Sequence, residues 1–397
     1  MKKFIALFLA VAMMATMFAA CGGSSDSTEA TNATETVADG AAETTGAIKI
    51  GMSGPLTGGA AVYGTAVKAA MEIAVEEVNA LGGLQFELNC QDDEHDTEKA
   101  VNAYNTLKDW GMQIFAGAVT TAPSNAIAPM CAEDSIFMLT PSASGDSVIE
   151  NGDNIFQVCF KDTNQGVASA DYFAEHFADA VIGVIYDSSD AYSAGIYEKF
   201  AARAAELGLN VVCAEAFTAD NKADLSTQVT KCQDAGADMV FLPFYCQEAA
   251  QVLTYANKIG YTPTFFGCDG MDGILTVEGF DAALAEGLML LTPFSADAED
   301  EATRSFVAKY TEKTGIVPNQ FAADAYDVIY ALYQACNNAG VTADMSAEEI
   351  NSVMIEQFTT MTFDGLTGAG MTWDETGAVS KAPMAVVIKD GAYVGVE

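Results

Sequence analysis

Apolar residues fall along this chain into short continuous runs that alternate with longer stretches where they recur every three or four positions. The first spacing is that of buried strands, the second that of amphipathic helices. A strand is predicted over 47–52, then a helix over 64–81 with Val67, Met71, Ala74, Val75 and Val78 on one face and Gly82-Gly83 closing it. Residues 84–90 read as a strand, 97–110 as a helix and 114–119 as a strand. Residues 120–134 read as a helix that opens on hydroxyls and Pro123. Phe137-Met138-Leu139-Thr140 is a buried strand that breaks at Pro141-Ser142-Ala143-Ser144.

After a strand at 155–160 the series starts again, with helices over 166–177, 194–207, 225–235 and 249–259 between strands at 181–186, 211–217, 239–245 and 264–267. Regular alternation of this kind argues for parallel sheets joined by right-handed crossovers. Two blocks of about 120 residues argue for two similar lobes. Beyond a strand at 288–294 the texture changes to three helices, 302–313, 321–337 and 347–359, and a Gly-rich segment ending in short strands at 383–388 and 392–394. This part is too helical for a third α/β domain. It completes the two lobes, with the chain crossing between them more than once.

The turn after Thr140 is where chemistry is expected first. The carboxyl edge of an open α/β sheet is its ligand-binding edge, and the hydroxyls and free N–H groups there suit a small anion such as a carboxylate. An ordinary Ser/Pro turn is the alternative. Asp269, in Cys268-Asp269-Gly270 after the 264–267 strand, suits a cation, with a turn aspartate as its alternative reading. No basic residue stands in these turns. A carboxylate would therefore rely on hydroxyls, N–H groups and the helix start at Thr121.

At 397 residues the chain has room for two domains, and its net charge of −38 argues against nucleic acid and anionic membrane surfaces as partners. Lys2 and Lys3, the apolar run 4–20 and Phe18-Ala19-Ala20-Cys21 form a secretory signal peptide, 1–20, whose end resembles the lipobox of bacterial lipoproteins. That resemblance implies cleavage before Cys21 and lipidation of its sulfur, hence an extracytoplasmic protein lipid-anchored to the cell membrane. The mature chain would keep 15 basic and 55 acidic residues. Residues 21–47 then read as a lipidated cysteine and a disordered acidic tether, since Gly, Ser, Thr and acids cannot bury enough apolar area to fold.

Eight further cysteines are scattered singly, with no Cys-x-x-Cys and no nearby histidine, so no metal site is expected. Cys246 and Cys268 stand at the ends of what are expected to be neighbouring strands and are candidates for a disulfide. Two unpaired small residues are the stronger reading. His95 and His176 lie in unrelated contexts, and His95, within Asp92-Asp93-Glu94-His95-Asp96, reads as a solvated loop residue rather than a metal ligand. No nucleophile elbow, Walker loop or dinucleotide fingerprint occurs, so neither catalysis nor a cofactor is expected.

Ser53-Gly54-Pro55-Leu56-Thr57-Gly58 with Tyr63-Gly64, then Asn79-x-x-Gly82-Gly83, Asp92-Asp93, the Thr140–Ser144 turn and Thr372-Trp373-Asp374-Glu375-x-Gly377, in that order, resemble type I periplasmic solute-binding proteins. The nearest group is the Leu/Ile/Val-binding proteins of ABC importers. The resemblance covers residues 48 to the C-terminus. It implies an α/β fold of two Rossmann-like lobes joined by three crossovers, with an amino acid in the cleft between them. The lobes would be 48–162 with 293–378, and 163–292 with 379–397.

Carried over onto matching positions, the ligand carboxylate would be held by Thr121, Ser142 and Ser144. The ammonium would be held by the Ser142 carbonyl and Asp269, where relatives often carry Glu. Tyr63, Tyr192 and Tyr245 would close over the ligand. Val62, Phe160, Phe244 and Met271 are apolar candidates near the cleft, which suits a neutral and branched-chain amino acid. The expected partners are that amino acid and ABC permease subunits with their ATPase, the protein acting as a monomer. A sensor subunit for amino acids or related amides and aromatic amino acids, feeding a chemoreceptor, is the alternative.

Overall fold

A computed structural model describes residues 46–396. The signal peptide, the lipidation at Cys21, all but the last two residues of the tether, and residue 397 lie outside the described residues.

Strands β1 (Ile48–Gly54), β2 (Phe86–Asp92), β3 (Ile114–Phe115), β4 (Phe137–Thr140) and β5 (Ile155–Gln157) form one parallel sheet in the order β2-β1-β3-β4-β5. Helices α1 (Ala61–Ala80), α2 (Thr97–Trp110), α3 (Thr121–Glu133) and α4 (Asp146–Ile149) connect them. The second sheet takes β6 (Ile182–Asp187), β7 (Val211–Phe217), β8 (Met239–Leu242), β9 (Thr264–Gly267) and β10 (Met289–Thr292), in the order β10-β9-β8-β6-β7 and all parallel. Its helices are α5 (Asp162–His176), α6 (Ala191–Leu207), α7 (Ser226–Asp234) and α8 (Cys246–Lys258). Helices α9 (Glu301–Thr314), α10 (Gln320–Ala339) and α11 (Ala347–Thr360) come next. The chain then returns as the antiparallel strands β11 (Met384–Lys389) and β12 (Ala392–Gly395), added beside β10. Two parallel-dominated sheets, each with helices against it, make an α/β protein of two Rossmann-like lobes.

Local chemistry sets the helix limits. The side chains of Asp96, Asp190, Asp300, Asn319 and Ser346 each accept from a backbone N–H in the first turn of the helix that follows. Gly64 in α1 admits no side chain, because a Cβ there would lie 2.1 Å from the Pro55 carbonyl oxygen. The loop after β1 can therefore lie directly on the first turns of α1.

The strands at 114–119, 155–160 and 239–245 were predicted longer than they are: pairing ends at Phe115, Gln157 and Leu242. In each case the apolar run continues into a loop that is itself buried, as Val119, Phe160 and Phe244 show. Apolar residues past the last ladder bond belong to these buried loops.

The residues after Thr292 pack on both sheets. Helix α10 lies against α1, and α11 against β3 and β4. Phe358 of α11 joins Phe137, Phe156 and Trp373 in one aromatic cluster, and Trp373 Nε1 donates to the Gln157 carbonyl at 2.8 Å. Lys381 Nζ donates to Asp324 Oδ1 of α10 at 2.6 Å and also to Thr367, with both charged side chains almost completely buried. Removing one member of such a pair leaves an uncompensated buried charge. Lys381→Met should therefore lower the unfolding free energy by about 3–5 kcal/mol in urea titration. A loss under about 1 kcal/mol would show that the pair does not anchor this segment.

Candidate ligand-binding site

In each sheet the connections leave in opposite directions on either side of one strand, β1 in the first and β6 in the second. Loops at the carboxyl ends of the strands flanking such a switch point form a crevice. Tyr63 lies in the first turn of α1 after β1, Thr121 opens α3 after β3, and Ser142 follows β4. Tyr192 lies in the first turn of α6 after β6, Tyr245 follows β8 at the N-cap of α8, and Asp269 follows β9. These six residues line one cavity, with Val119, Thr120, Gly270 and Phe321.

The seventh expected residue, Ser144, is buried but is not part of this wall. Its carbonyl accepts from Asp162 N at 2.9 Å and its hydroxyl lies against the Asp162 carboxyl. Val62, Phe160, Phe244 and Met271 do not line the cavity either. Val62 faces a different cavity, Phe244 packs on Phe217, and Met271 fills the space over Gly267.

Asp269 is 3% exposed. Its Oδ1 accepts from Tyr192 Oη at 2.6 Å and from Gly270 N at 2.8 Å, and its own N–H donates to Gln165 Oε1 at 3.1 Å. Burial pushes the carboxyl up, to about 6, against the lowering effect of those hydrogen bonds. Gln165 Nε2 reaches Asp162 Oδ1 at 3.4 Å, so one amide bridges two acids. Asp162 is driven well above the usual carboxylate range by burial first and by the Asp269 charge second. No lysine or arginine lines the cavity.

On the facing wall, Ser142 Oγ donates to the Val119 carbonyl at 2.7 Å, which leaves this hydroxyl only as an acceptor. Thr121 Oγ1 accepts from Gly145 N at 3.4 Å and keeps its own proton for another acceptor. Helix α3 has no side-chain cap. The N–H groups that open an α-helix have no partner within it, and they favour negative charge.

Aromatic rings close the space. Tyr192 and Tyr245 stack with centroids 4.9 Å apart, Tyr63 meets Tyr245 at 5.2 Å, and Phe321 meets Tyr63 edge-on at 4.8 Å. Tyr63 Oη donates to the Gly270 carbonyl at 2.6 Å and accepts from Cys246 N at 2.9 Å, bonds that tie α1 of one lobe to the other. The cavity measures about 10 Å³, room for about one water molecule. Admitting an organic ligand requires the lobes to part or the tyrosines to turn.

His95 is not the solvated loop residue expected. Its Nδ1 lies 2.9 Å from Thr120 Oγ1, its ring meets Tyr245 at 5.3 Å, and its Nε2 is 3.8 Å from Asp190 of the second lobe. Burial holds its pKa below the usual histidine value. Among the described residues all eight cysteines are free, Cys246 and Cys268 included, and Cys246 Sγ lies 3.2 Å from Tyr63 Oη. Asp162, Gln165, His95 and Phe321 were missed from sequence. Asp162 had a usable signal, an acid opening a helix two residues after the buried Phe160.

A tyrosine-walled cavity at paired switch points, acidic on one side and hydroxyl-lined on the other, defines a two-lobed ligand-binding protein. The chain belongs to the periplasmic binding protein family, whose model matches residues 47–392. Members of that family work outside the cytoplasm and are binding proteins, not enzymes. Leu/Ile/Val-binding protein homolog 3 of Brucella melitensis is 28% identical over 88% of this chain and 94% of its own length. The leucine-, isoleucine-, valine-, threonine- and alanine-binding protein of Pseudomonas aeruginosa is 27% identical over 74% of this chain and 79% of its own. Among solved structures, the leucine-binding protein LivK of Thermotoga maritima is 27% identical, with a TM-score of 0.78, over 88% of this chain and 98% of that one. LivJ of Streptococcus pneumoniae, solved in complex with isoleucine, is 25% identical with a TM-score of 0.79, over 89% of this chain and 99% of that one.

The raised pKa of Asp269 sets a pH dependence. The folded state holds the proton up to about pH 6, whereas the unfolded chain loses it near the ordinary value of 3.8. The folded state therefore binds more protons in that window, and this group makes stability fall as pH rises. Asp269→Asn should gain stability over the parent chain between pH 5 and pH 7, by about 1 kcal/mol without ligand. Parallel urea curves for the two proteins at both pH values, with an unchanging difference, would contradict the assignment.

Proposed function

We propose that this protein captures a neutral, branched-chain amino acid in the tyrosine-walled cleft and delivers it to the permease of an ABC importer. The observation that carries the reading is the cavity's composition: the buried acid Asp269 on one side, with Asp162 next to it outside the lining, hydroxyls and a helix start on the other, and no basic side chain. An α-amino acid needs a cation site and an anion site on facing walls, and this cavity supplies both. Asp269, supported by Asp162, takes the ammonium, together with the Ser142 carbonyl. The Thr121 hydroxyl and the first N–H groups of α3 take the carboxylate, and Ser144 steadies Asp162 behind them. Tyr63, Tyr192 and Tyr245 close over the bound molecule. No charged group is left to anchor a ligand side chain, so a neutral one is preferred. The names of the relatives, and the isoleucine bound in the Streptococcus pneumoniae structure, agree with this choice.

Closure follows from the two-lobed architecture. In this reading residues 48–162 with 293–378 move as one lobe and 163–292 with 379–397 as the other. The wedge of Trp373 on Gln157 and the addition of β11 to β10 support that division. The mature protein is a monomer carried on a lipid at Cys21, its acidic tether lifting the lobes off the membrane toward the permease.

Isothermal titration against leucine, valine, phenylalanine, glutamate and lysine is expected to rank the branched aliphatic ligands first. Tighter binding of glutamate would sink the assignment. Asp269→Ala should weaken leucine binding by about 2–5 kcal/mol, because the ammonium is left unpaired in a dry cavity. A loss under about tenfold would remove Asp269 from the ammonium site.

A further inference from the structure

On the other side of α1 from the tyrosine cavity, a second cavity of about 990 Å³ runs along the seam between the lobes. That volume is within the range of small-molecule sites. Val62 and Ala66 of α1 and Val307 of α9 form one side, with Leu275, Val277 and Tyr393 opposite. Thr65, Gln247, Thr276, Thr314 and Asn319 add neutral polar groups to a largely apolar wall. Asp272, Glu278 and Asp297 line it, and no lysine or arginine does.

Asp272 is the built polar group. It is 4% exposed, and its Oδ2 accepts from Gln320 N at 2.7 Å. Its Oδ1 has no hydrogen-bond partner, while the Tyr393 hydroxyl, accepting from Gly273 N at 2.9 Å, stands beside the carboxyl. Burial raises this acid to about 7, so it holds full charge at neutral pH only with a cation next to it. A largely apolar cavity whose only charged side chains are acids favours a cation with an apolar body, and carboxylate or phosphate groups find no basic partner there.

The two cavities share a turn. Asp272 N donates to the Asp269 carbonyl at 2.8 Å, and Gln320 Nε2 reaches the same carbonyl at 3.3 Å while its backbone N–H holds Asp272. One turn thus presents Asp269 to the tyrosine cavity and Asp272 to the seam. We propose that the seam cavity is a second ligand site, taking a small primary amine with an aliphatic or aromatic body whose ammonium pairs with Asp272. Because α1 and α9 belong to one side of the seam and the Asp272 turn to the other, an occupant touches both lobes and favours their closed arrangement.

Phenethylamine is the probe. Titrated calorimetrically into the full chain, it is expected to bind saturably at one site. Asp272→Asn should weaken it roughly tenfold or more, through loss of a charge-assisted bond. Val307→Trp, which fills the groove without touching Asp272, should abolish it, and Asp269→Asn should retain it. No saturable binding, or binding that survives Asp272→Asn and Val307→Trp, would overturn the proposal. Loss in Asp269→Asn alone would place the amine in the tyrosine cavity instead and equally overturn it.

Discussion

The structure turns on a carboxyl group held in a closed cavity with no basic side chain in its wall. Asp269 keeps company with Tyr192, Gly270 and Gln165, which supply hydrogen bonds but no positive charge, and Asp162 adds a second acid across the same amide. Desolvation raises both acids out of their ordinary range. Closing the lobes over them is therefore uphill for the ionised state, and in the proposed reading an ammonium that enters with its ligand offsets that cost. Ligand-driven closure then has a stated cause: the ligand interacts differently with the open and closed forms.

The rest of the architecture serves that arrangement. Equivalent strand orders in the two sheets place two switch points face to face, so that six loops contribute one cavity-lining side chain each. Tyr63 reaches from α1 to the Gly270 carbonyl and the Cys246 N–H, and Gly270 can approach because a Cβ there would lie 2.6 Å from Tyr192 Oη. Behind the cavity, Gln320 at the start of α10 holds the Asp269–Asp272 turn, while further along α10 Asp324 holds Lys381. The long C-terminal helix thus joins the ligand-facing turn to the segment that returns the chain to the second sheet.

Much of this was legible in the residues because strand–helix alternation is a strong periodic signal and strand ends are where ligands sit. Helix α2 and strands β7 and β9 were found at their observed limits, since Asp96 and Gly111 cap α2 and turn residues bound the strands. The carboxyl ends of β3, β5 and β8 were not, because buried loops are as apolar as strands. Six of the seven expected site residues share one cavity. Ser144 stands outside its wall, with its carbonyl accepting from Asp162 N. His95 was misjudged because four neighbouring acids suggest solvent, whereas the loop folds inward and the ring lands on Tyr245 and Thr120. Contacts between residues far apart along the chain leave no local periodic trace, which is why Phe321 and Gln165 were invisible.

The most direct test counts protons. Leucine is titrated calorimetrically at pH 6 in two buffers of different ionisation enthalpy. If an ammonium settles on the Asp269–Asp162 pair, the pair must ionise as the ligand enters, and the heat will depend on buffer in the sense of net proton release. Leucine binding with no buffer dependence, or with net proton uptake, would contradict the account.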